Sequence, residues 1–89
     1  MRAVLICIDK PGSLDLRLAN RPAHVEYLKA SPCVELAGPF LEGETMVGSM
    51  LVLNVESLEE ARAWAAGDPY AKAGLFGSVE IREWKKVIG

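Results

Sequence analysis

Histidine and cysteine are scarce in this chain: its 89 residues include one histidine and two cysteines. A structural zinc site needs four such ligands, and small secreted domains usually carry several cysteine pairs. No aspartate or glutamate pattern has the spacing of a calcium loop, and no glycine-rich loop is suited to phosphate. We therefore expect no metal and no cofactor, and we interpret the chain as a cytoplasmic protein with reduced thiols.

Clusters of positive charge and long apolar runs are also missing. Ten basic and twelve acidic residues leave a net charge of -2, without the basic patch that nucleic acid or an anionic membrane would require. No stretch approaches the roughly 20 apolar residues of a membrane span, and the apolar start of the chain is too short for a signal peptide. We therefore expect neither nucleic acid nor a membrane as a partner.

The residues that are present predict one small domain. With 51% hydrophobic residues, a chain of this length can bury one core but not two. Residues 1–89 are therefore interpreted as a single domain. Runs of β-branched and apolar residues between turn signals predict four strands, over residues 2–9, 33–40, 47–55 and 75–84.

The first helical region lies between the first two strands. It begins at Ser13 and is predicted to restart at Pro22, because proline is tolerated in the first turn of a helix. Asn20 or Arg21 would then cap the second stretch. This restart would place His24 near the N-terminus of its helix.

The second helical region covers residues 58–66, where Ser57 and Glu60 have the spacing of a capping box. A further short helical turn is expected over residues 70–74. The order of elements is therefore βαββαβ. This order predicts an α+β fold, a ferredoxin-like sandwich in which a four-stranded antiparallel sheet carries two helices on one face.

The two central strands are apolar on both faces. Residues 4–7 and 50–53 run without alternation of apolar and polar side chains, which is typical of strands that are buried on both sides. Because the helices cover only one face, we predict a homodimer through the other face of the sheet. The alternative is a monomer whose apolar sheet is partly exposed.

In this topology the chemically versatile residues meet at one end of the sheet. His24 lies in the early turns of its helix, Asp68 follows the second helix, and Gly38 and Ser49 lie where two strands end and begin. Imidazole suits proton transfer near neutral pH, and a carboxylate is its usual orienting partner. His24 and Asp68 are therefore the candidate catalytic pair, and the candidate substrate contacts are Gly38, Ser49, Arg21 and Tyr70.

Each candidate also has a structural explanation. A lone histidine is often a surface or core residue, and an aspartate before a proline commonly begins a turn. The glycines Gly38 and Gly48 can simply relieve crowding at strand ends. Arg17 and Arg21 lie at helical spacing, where they form either a cationic rim for an anionic substrate or a solvated helix face.

Several short motifs together resemble a known family. They are Arg21-Pro22-Ala23-His24 with Tyr27-Leu28, Ala37-Gly38-Pro39, Gly48-Ser49, Ala61 with Trp64, and Gly67-Asp68-Pro69-Tyr70 to Ala73-Gly74-Leu75-Phe76. Over nearly the whole chain this ordered set resembles the YciI-like (YCII-related) family. The resemblance implies a dimeric α/β barrel, in agreement with the predicted homodimer. It also implies an active site built on a histidine and an aspartate, which map onto His24 and Asp68, while Gly38 and Ser49 match other characteristic positions.

These residues predict a cofactor-independent enzyme that acts on a small organic molecule. His24 would be the general acid or base and Asp68 would hold its tautomer, in an isomerisation, elimination or related lyase-type reaction. Ser49 and the backbone of Gly38 or Gly48 would bind a carbonyl oxygen as charge develops. The alternative is a non-catalytic dimer, structural or binding a small ligand, in which His24 and Asp68 form a stabilising hydrogen bond.

Overall fold

Four strands and three helices make up the computed structural model, which describes residues 1–89. In chain order they are β1 (Arg2–Asp9), α1 (Leu14–Lys29), β2 (Val34–Glu42), β3 (Thr45–Asn54), α2 (Leu58–Gly67), α3 (Pro69–Lys72) and β4 (Phe76–Trp84). The predicted order βαββαβ is confirmed, and α3 is the short helical turn expected after α2. None of these helices is long and apolar enough to cross a membrane.

The strands form one antiparallel sheet in the order β2-β3-β1-β4. At its centre, Leu5 of β1 pairs with Leu51 of β3, and Ala3 pairs with Leu53. These four side chains are almost fully buried and pack with Ala61 of α2 in the hydrophobic core. The helices therefore cover one face of the sheet, which confirms the α+β ferredoxin-like fold.

The hairpin between β2 and β3 is longer than the sequence predicts. β2 does not end at Phe40 but continues to Glu42, and β3 begins earlier than expected, at Thr45. Gly43 makes the turn with a φ of 62°, a backbone conformation that glycine adopts without steric cost. Pro39 pairs with Ser49, so both residues lie inside the sheet rather than at its end.

α1 is one continuous helix, and the predicted restart at Pro22 is wrong. Pro22 lies within the helix, where it removes one N–H donor from the backbone ladder. Asn20, expected as a cap, instead donates from its side chain to the carbonyl of Leu16 at 2.9 Å. Because the helix begins at Leu14, His24 lies in its second half and not near its N-terminus.

Side-chain caps fix the starts of the two shorter helices. α2 begins as predicted, since Ser57 Oγ accepts a hydrogen bond from the N–H of Glu60 at 3.1 Å. At the start of α3, the carboxylate of Asp68 accepts from the N–H of Tyr70 at 2.9 Å. α3 contacts α1, so this second cap brings Asp68 and Tyr70 to the helix that carries His24.

The other face of the sheet has no helix over it in the protomer and is mostly apolar across β1, β2 and β3, whereas β4 adds Glu80 and Arg82 to it. Strand register and alternation place Val4 and Ile6 of β1 on this face, together with Leu36, Met50 and Trp84. Leu36 is 66% exposed, Trp84 44% and Met50 41%. Monomeric soluble proteins rarely expose a large contiguous apolar patch. This face, which we call the open sheet face, is therefore the surface on which the predicted dimer depends.

Candidate active site

A cavity of about 150 Å³ lies between α1 and the half of the sheet formed by β2 and β3. Five of the six residues predicted for the site line this cavity: Arg21, His24, Gly38, Ser49 and Tyr70. The sixth, Asp68, is buried and hydrogen-bonded to His24. The structure thus brings all six residues together. Their expected position at one end of the sheet is wrong, however, because Gly38 and Ser49 lie within strands β2 and β3.

α1 directs a polar stripe toward the cavity. Arg17, Arg21 and His24 are spaced by four and three residues, so they lie on one side of the helix. Arg17 and His24 are the only buried residues of the helix. Because a buried charge is costly unless it is paired, these side chains need polar partners in the sheet and in α3. Two hydrogen-bonded side-chain pairs provide them.

The first pair is a hydrogen bond between His24 and Asp68, with 2.8 Å between Nδ1 and Oδ1. The same Oδ1 accepts from the backbone N–H of Tyr70. An ionised carboxylate can only accept hydrogen bonds, so this contact assigns the imidazole hydrogen to Nδ1. Nε2 is then the basic nitrogen of the neutral ring, and no protein group hydrogen-bonds to it. His24 and Asp68 therefore have the arrangement of a general base and its orienting carboxylate.

The second pair joins Arg17 to Asp9, the last residue of β1. Nε of Arg17 donates to one carboxylate oxygen at 2.7 Å and Nη2 to the other at 3.2 Å. Nη2 also donates to Oγ of Ser49 at 2.7 Å. Arg17 is only 2% exposed, so a solvated helix face is the wrong explanation for it. Arg21, in contrast, is exposed where it borders the cavity and forms no ion pair.

Arg17 is the functional candidate that sequence reasoning left undecided. Its distance of seven residues from His24, two turns of one helix, was the available signal. The carboxylate that neutralises it comes from a strand, and its hydroxyl partner Ser49 comes from another strand. These contacts follow from the packing of α1 on the sheet, which cannot be deduced from helical spacing alone.

Tyr70 connects the two pairs. Its ring stacks on the imidazole of His24, with centroids 3.8 Å apart and planes 16° apart. Its hydroxyl lies 3.5 Å from Nη1 of Arg17, whose guanidinium carbon is 4.6 Å from the ring centroid. Burial raises the pKa of the Tyr70 phenol above its usual 10.0, although the charges of Arg17 and Arg21 oppose the shift. Tyr70 is therefore protonated at neutral pH and can donate a hydrogen bond.

The two glycines near the cavity differ in their surroundings. A Cβ at Gly48 would collide with the carbonyl oxygen of Cys7 and lie 3.2 Å from the ring of Phe40. A Cβ at Gly38 would meet no atom within 4 Å. Relief of crowding therefore explains Gly48 but not Gly38. Gly38 pairs with Met50, so the open space beside it lies on the open sheet face, while its backbone borders the cavity.

The two thiols are poor candidates for catalysis. Cys7 packs in the core, where burial raises its pKa from the usual 9.0 to about 12, with further contributions from the carboxylates of Asp68 and Asp9. Burial also raises the pKa of Cys33. The reactive form of cysteine is the thiolate, so neither is a nucleophile at neutral pH. No group of three or more His, Cys, Asp or Glu side chains is arranged to hold a metal ion.

Comparison with known proteins identifies close relatives. Residues 1–85 match the YCII-related domain. Protein YciI of Escherichia coli O6:H1 is 37% identical to this chain, and the alignment covers 99% of the chain and 100% of that protein. The resemblance predicted from the ordered motifs is thus confirmed.

Solved structures agree with the sequence comparison. The 5-chloro-2-hydroxyhydroquinone dehydrochlorinase TftG from Burkholderia phenoliruptrix, in complex with 2,5-dihydroxybenzoquinone, superposes with a TM-score of 0.90 at 34% identity, over 96% of this chain and 94% of that one. An antibiotic biosynthesis monooxygenase has a TM-score of 0.61 at 11% identity, over 98% of each chain, which shows a shared fold only. Sequence and structure together show that the chain belongs to the YCII-related domain family.

Proposed function

We propose that this protein is an enzyme that moves protons on a small organic substrate without a cofactor, with His24 as general base and acid. The observation that carries the proposal is the buried 2.8 Å hydrogen bond between Nδ1 of His24 and Oδ1 of Asp68 beside the cavity. It leaves Nε2, the basic nitrogen, as the edge of the ring without a protein partner. A general base needs this nitrogen free to reach a substrate proton.

The cavity suits a small ring that carries oxygen atoms. Its volume of about 150 Å³ is below the roughly 300–1,000 Å³ that is typical of sites for drug-sized ligands. Its polar groups, the hydroxyls of Ser49 and Tyr70 and the guanidinium of Arg21, can all donate hydrogen bonds to oxygen. The relative TftG is a dehydrochlorinase of a hydroxyhydroquinone and was solved with a dihydroxybenzoquinone. We therefore propose hydroxylated aromatic or quinone-like rings as the substrate class.

The proposed reaction is an elimination or the related isomerisation. Nε2 of His24 takes a proton from a ring hydroxyl and returns a proton to a ring carbon, which converts the ring to its keto tautomer. A leaving group then departs with its electron pair while a second hydroxyl loses its proton, so the net loss is one molecule of acid. Asp68 holds the hydrogen on Nδ1 and stabilises the imidazolium that forms between the two proton transfers.

A non-catalytic dimer is the second candidate, and one observation favours it. Asp68 caps α3 by accepting from the N–H of Tyr70 at 2.9 Å, so its carboxylate serves the fold even if His24 never reacts. In this case the bond from His24 to Asp68 would tie α1 to the start of α3. Such a hydrogen bond would contribute about 1–3 kcal/mol to stability.

Chloride release from 5-chloro-2-hydroxyhydroquinone and related halogenated hydroquinones tests the proposal. For an enzyme, His24→Ala should lower turnover by about 10²-fold or more with little change in Tm. Added imidazole should restore part of the turnover, because a small base can occupy the space left by the side chain. For a structural pair, Tm should fall instead and imidazole should have no effect. A destabilised variant that keeps full turnover would rule out catalysis by His24.

We also propose that the protein forms a homodimer through the open sheet face. Ile6 and Met50, which pair across β1 and β3, lie at the centre of this face, and Leu36 and Trp84 extend it to either side. A second copy related by a two-fold axis would cover the face with an identical one. The partners of this protein would then be its own copy and a small-molecule ligand.

A further inference from the structure

We propose that Arg17 is a positioning residue that directs the hydroxyl hydrogen of Ser49 into the cavity. To a lesser degree it does the same for the hydroxyl of Tyr70. The two hydroxyls then form a binding site for a substrate oxygen that carries negative charge, a phenolate or an enolate. This inference rests on the proposed function and deepens it, because it names the substrate group that the polar wall of the cavity holds.

The direction of the Ser49 hydrogen follows from its contact with Arg17. A guanidinium has donors only, so in the 2.7 Å contact with Nη2 the hydroxyl oxygen of Ser49 is the acceptor. Its own hydrogen must go to another acceptor, and no carboxylate or carbonyl of the protein takes it. Ser49 is 3% exposed and lines the cavity. A ligand atom in the cavity is therefore the acceptor that this hydrogen can reach.

Arg17 also orients the hydroxyl of Tyr70, but more weakly. The distance from Nη1 of Arg17 to its hydroxyl oxygen is 3.5 Å, long for a hydrogen bond but within electrostatic reach. This hydroxyl also donates to no protein acceptor, and its residue lines the cavity. The guanidinium thus favours orientations in which both hydroxyl hydrogens face away from it and toward the ligand.

Asp9 fixes the guanidinium and also neutralises it. The bidentate contact occupies Nε and one hydrogen of Nη2, which holds the plane of the guanidinium in one orientation. The remaining hydrogens of Nη2 and Nη1 face Ser49 and Tyr70. With its charge paired to Asp9, Arg17 acts on a ligand mainly through the hydroxyl dipoles, whereas the unpaired Arg21 is the free positive charge of the cavity.

Titration with 2,5-dihydroxybenzoquinone, an acidic quinone with oxygens that accept hydrogen bonds, tests the assignment. Ser49→Ala should weaken the Kd roughly tenfold or more, as expected for a hydrogen bond to a charged group. Arg17→Lys keeps the charge but loses the planar fork, and it should weaken the Kd to a similar degree. Because Arg17 acts through Ser49, the double variant should bind little worse than Ser49→Ala alone. Losses that multiply to roughly a hundredfold would overturn the inference, since they would mean that Arg17 contacts the ligand directly.

Two controls keep this result interpretable. Arg62→Lys makes the same change at an exposed position of α2, away from the cavity and from the open sheet face, and should leave the Kd unchanged. If Arg17→Lys does not fold, Asp9→Asn is the alternative, because it removes the bidentate ion pair that holds the guanidinium while keeping Arg17. The losses of affinity caused by Asp9→Asn and by Ser49→Ala should likewise not add in the double variant. Additive losses would again contradict the inference.

Turnover measurements on the same variants separate this inference from the proposed function. If no halogenated hydroquinone is turned over but the effects of Arg17 and Ser49 on Kd remain coupled, the catalytic proposal fails and the positioning role stands. If His24→Ala abolishes turnover while the two effects on Kd are independent, the enzyme stands and the positioning role fails. A folded wild-type protein that does not bind the quinone, or a Ser49→Ala variant with unchanged Kd, would also overturn the inference.

Discussion

The imidazole of His24 stacks on the phenol ring of Tyr70, with centroids 3.8 Å apart and planes 16° apart. The backbone N–H of Tyr70 donates to Oδ1 of Asp68, the same atom that is bonded to His24. One residue of a four-residue helix therefore limits both the tilt of the imidazole and the position of its carboxylate partner. The geometry of the proposed base depends on α3 as much as on its own helix.

Two substitutions of Tyr70 should separate the stacking from the hydroxyl. Tyr70→Phe keeps the ring and the backbone donor, so we expect turnover to fall by no more than roughly tenfold, through loss of one hydrogen bond to the substrate. Tyr70→Leu also removes the stacked ring. Because a displacement of about 1 Å in a reacting group can cost 10²-fold in rate, turnover should fall much further. Steady-state kinetics, with Tm measured on the same samples, check this. Equal losses of turnover in the two variants would mean that the stacked ring has no role in catalysis.

Asparagine in place of Asp68 should separate the negative charge beside His24 from the capping of α3. Asparagine caps helices as well as aspartate does, so in Asp68→Asn the amide oxygen still accepts from Tyr70. The unfolding free energy should therefore fall by less than about 1 kcal/mol. The same amide oxygen also still accepts from Nδ1–H of His24, because one oxygen of Asp68 makes both contacts. The substitution therefore keeps the tautomer but removes the negative charge that stabilises the imidazolium. Turnover should fall on the order of 10²-fold or more.

The comparison for this experiment is Asp68→Ala, which loses both functions. It should lose turnover to a similar extent and should also lose roughly 1 kcal/mol or more of stability with the cap. Denaturant unfolding and initial rates on the two variants decide between the roles. If asparagine preserved turnover, the carboxylate would serve only the fold.

The fold was predictable because local patterns and topology agree. The alternating burial of Ala3, Leu5 and Cys7 along β1 reflects an apolar run between clear turn signals, and such strands combine in few ways in a short chain. The pairing of His24 with Asp68 could also be predicted, since element order brings α1 and the end of α2 together. The resemblance to the family pointed to the same two residues.

The details that sequence reasoning missed depend on contacts between distant elements. By local rules Pro22 is a suitable residue for the first turn of a helix, but α1 continues through it. On either side of Pro22, Arg17 and His24 are buried against the sheet and α3. Arg17 itself is typical of a solvated helix face until Asp9 is known to lie beside it. Neither fact is contained in helical spacing, because both follow from how the helix packs on the sheet.

Gly48 should tolerate a side chain less well than another glycine of the sheet. In Gly48→Ala the new methyl group would collide with the carbonyl oxygen of Cys7, and strain of this kind typically costs about 1–3 kcal/mol. Gly77 of β4 is the matched control, since its nearest neighbours would lie at 3.6 Å, an ordinary contact. Chemical denaturation at one protein concentration should show a loss of stability for Gly48→Ala alone. Equal stability of both variants would contradict the crowding at Gly48.

A charge at Met50 should prevent dimer formation. Met50 lies at the centre of the open sheet face and is 41% exposed in the protomer. In a two-fold dimer Met50→Lys would bury an unpaired ammonium in each copy, which is strongly unfavourable. Light scattering should therefore show a dimer for the wild type and a monomer for the variant. Leu18→Lys, at a position of α1 that is 48% exposed, is the control and should remain dimeric. A wild-type monomer at micromolar concentration would contradict the proposed assembly.

Cys7 should make the protein less stable at high pH. Burial raises its pKa from the usual 9.0 to about 12, so over this interval the unfolded chain releases the thiol proton while the folded protein keeps it. The free energy of unfolding must then fall as the pH rises from 9 to 12. Below the usual pKa both states are protonated, and the thiol has no effect on the pH dependence.

Unfolding curves for Cys7→Ala across the same pH interval test this assignment. Removal of the thiol lowers stability at neutral pH by a packing contribution, but it should also make the decline between pH 9 and 12 less steep, because one group that titrates on unfolding has been removed. Cys33→Ala should change the slope less, since Cys33 is only partly buried. If the wild type and Cys7→Ala declined in parallel, the thiol would ionise in the folded protein at its ordinary pKa, and the close packing of β1 against the helices would be wrong at this position.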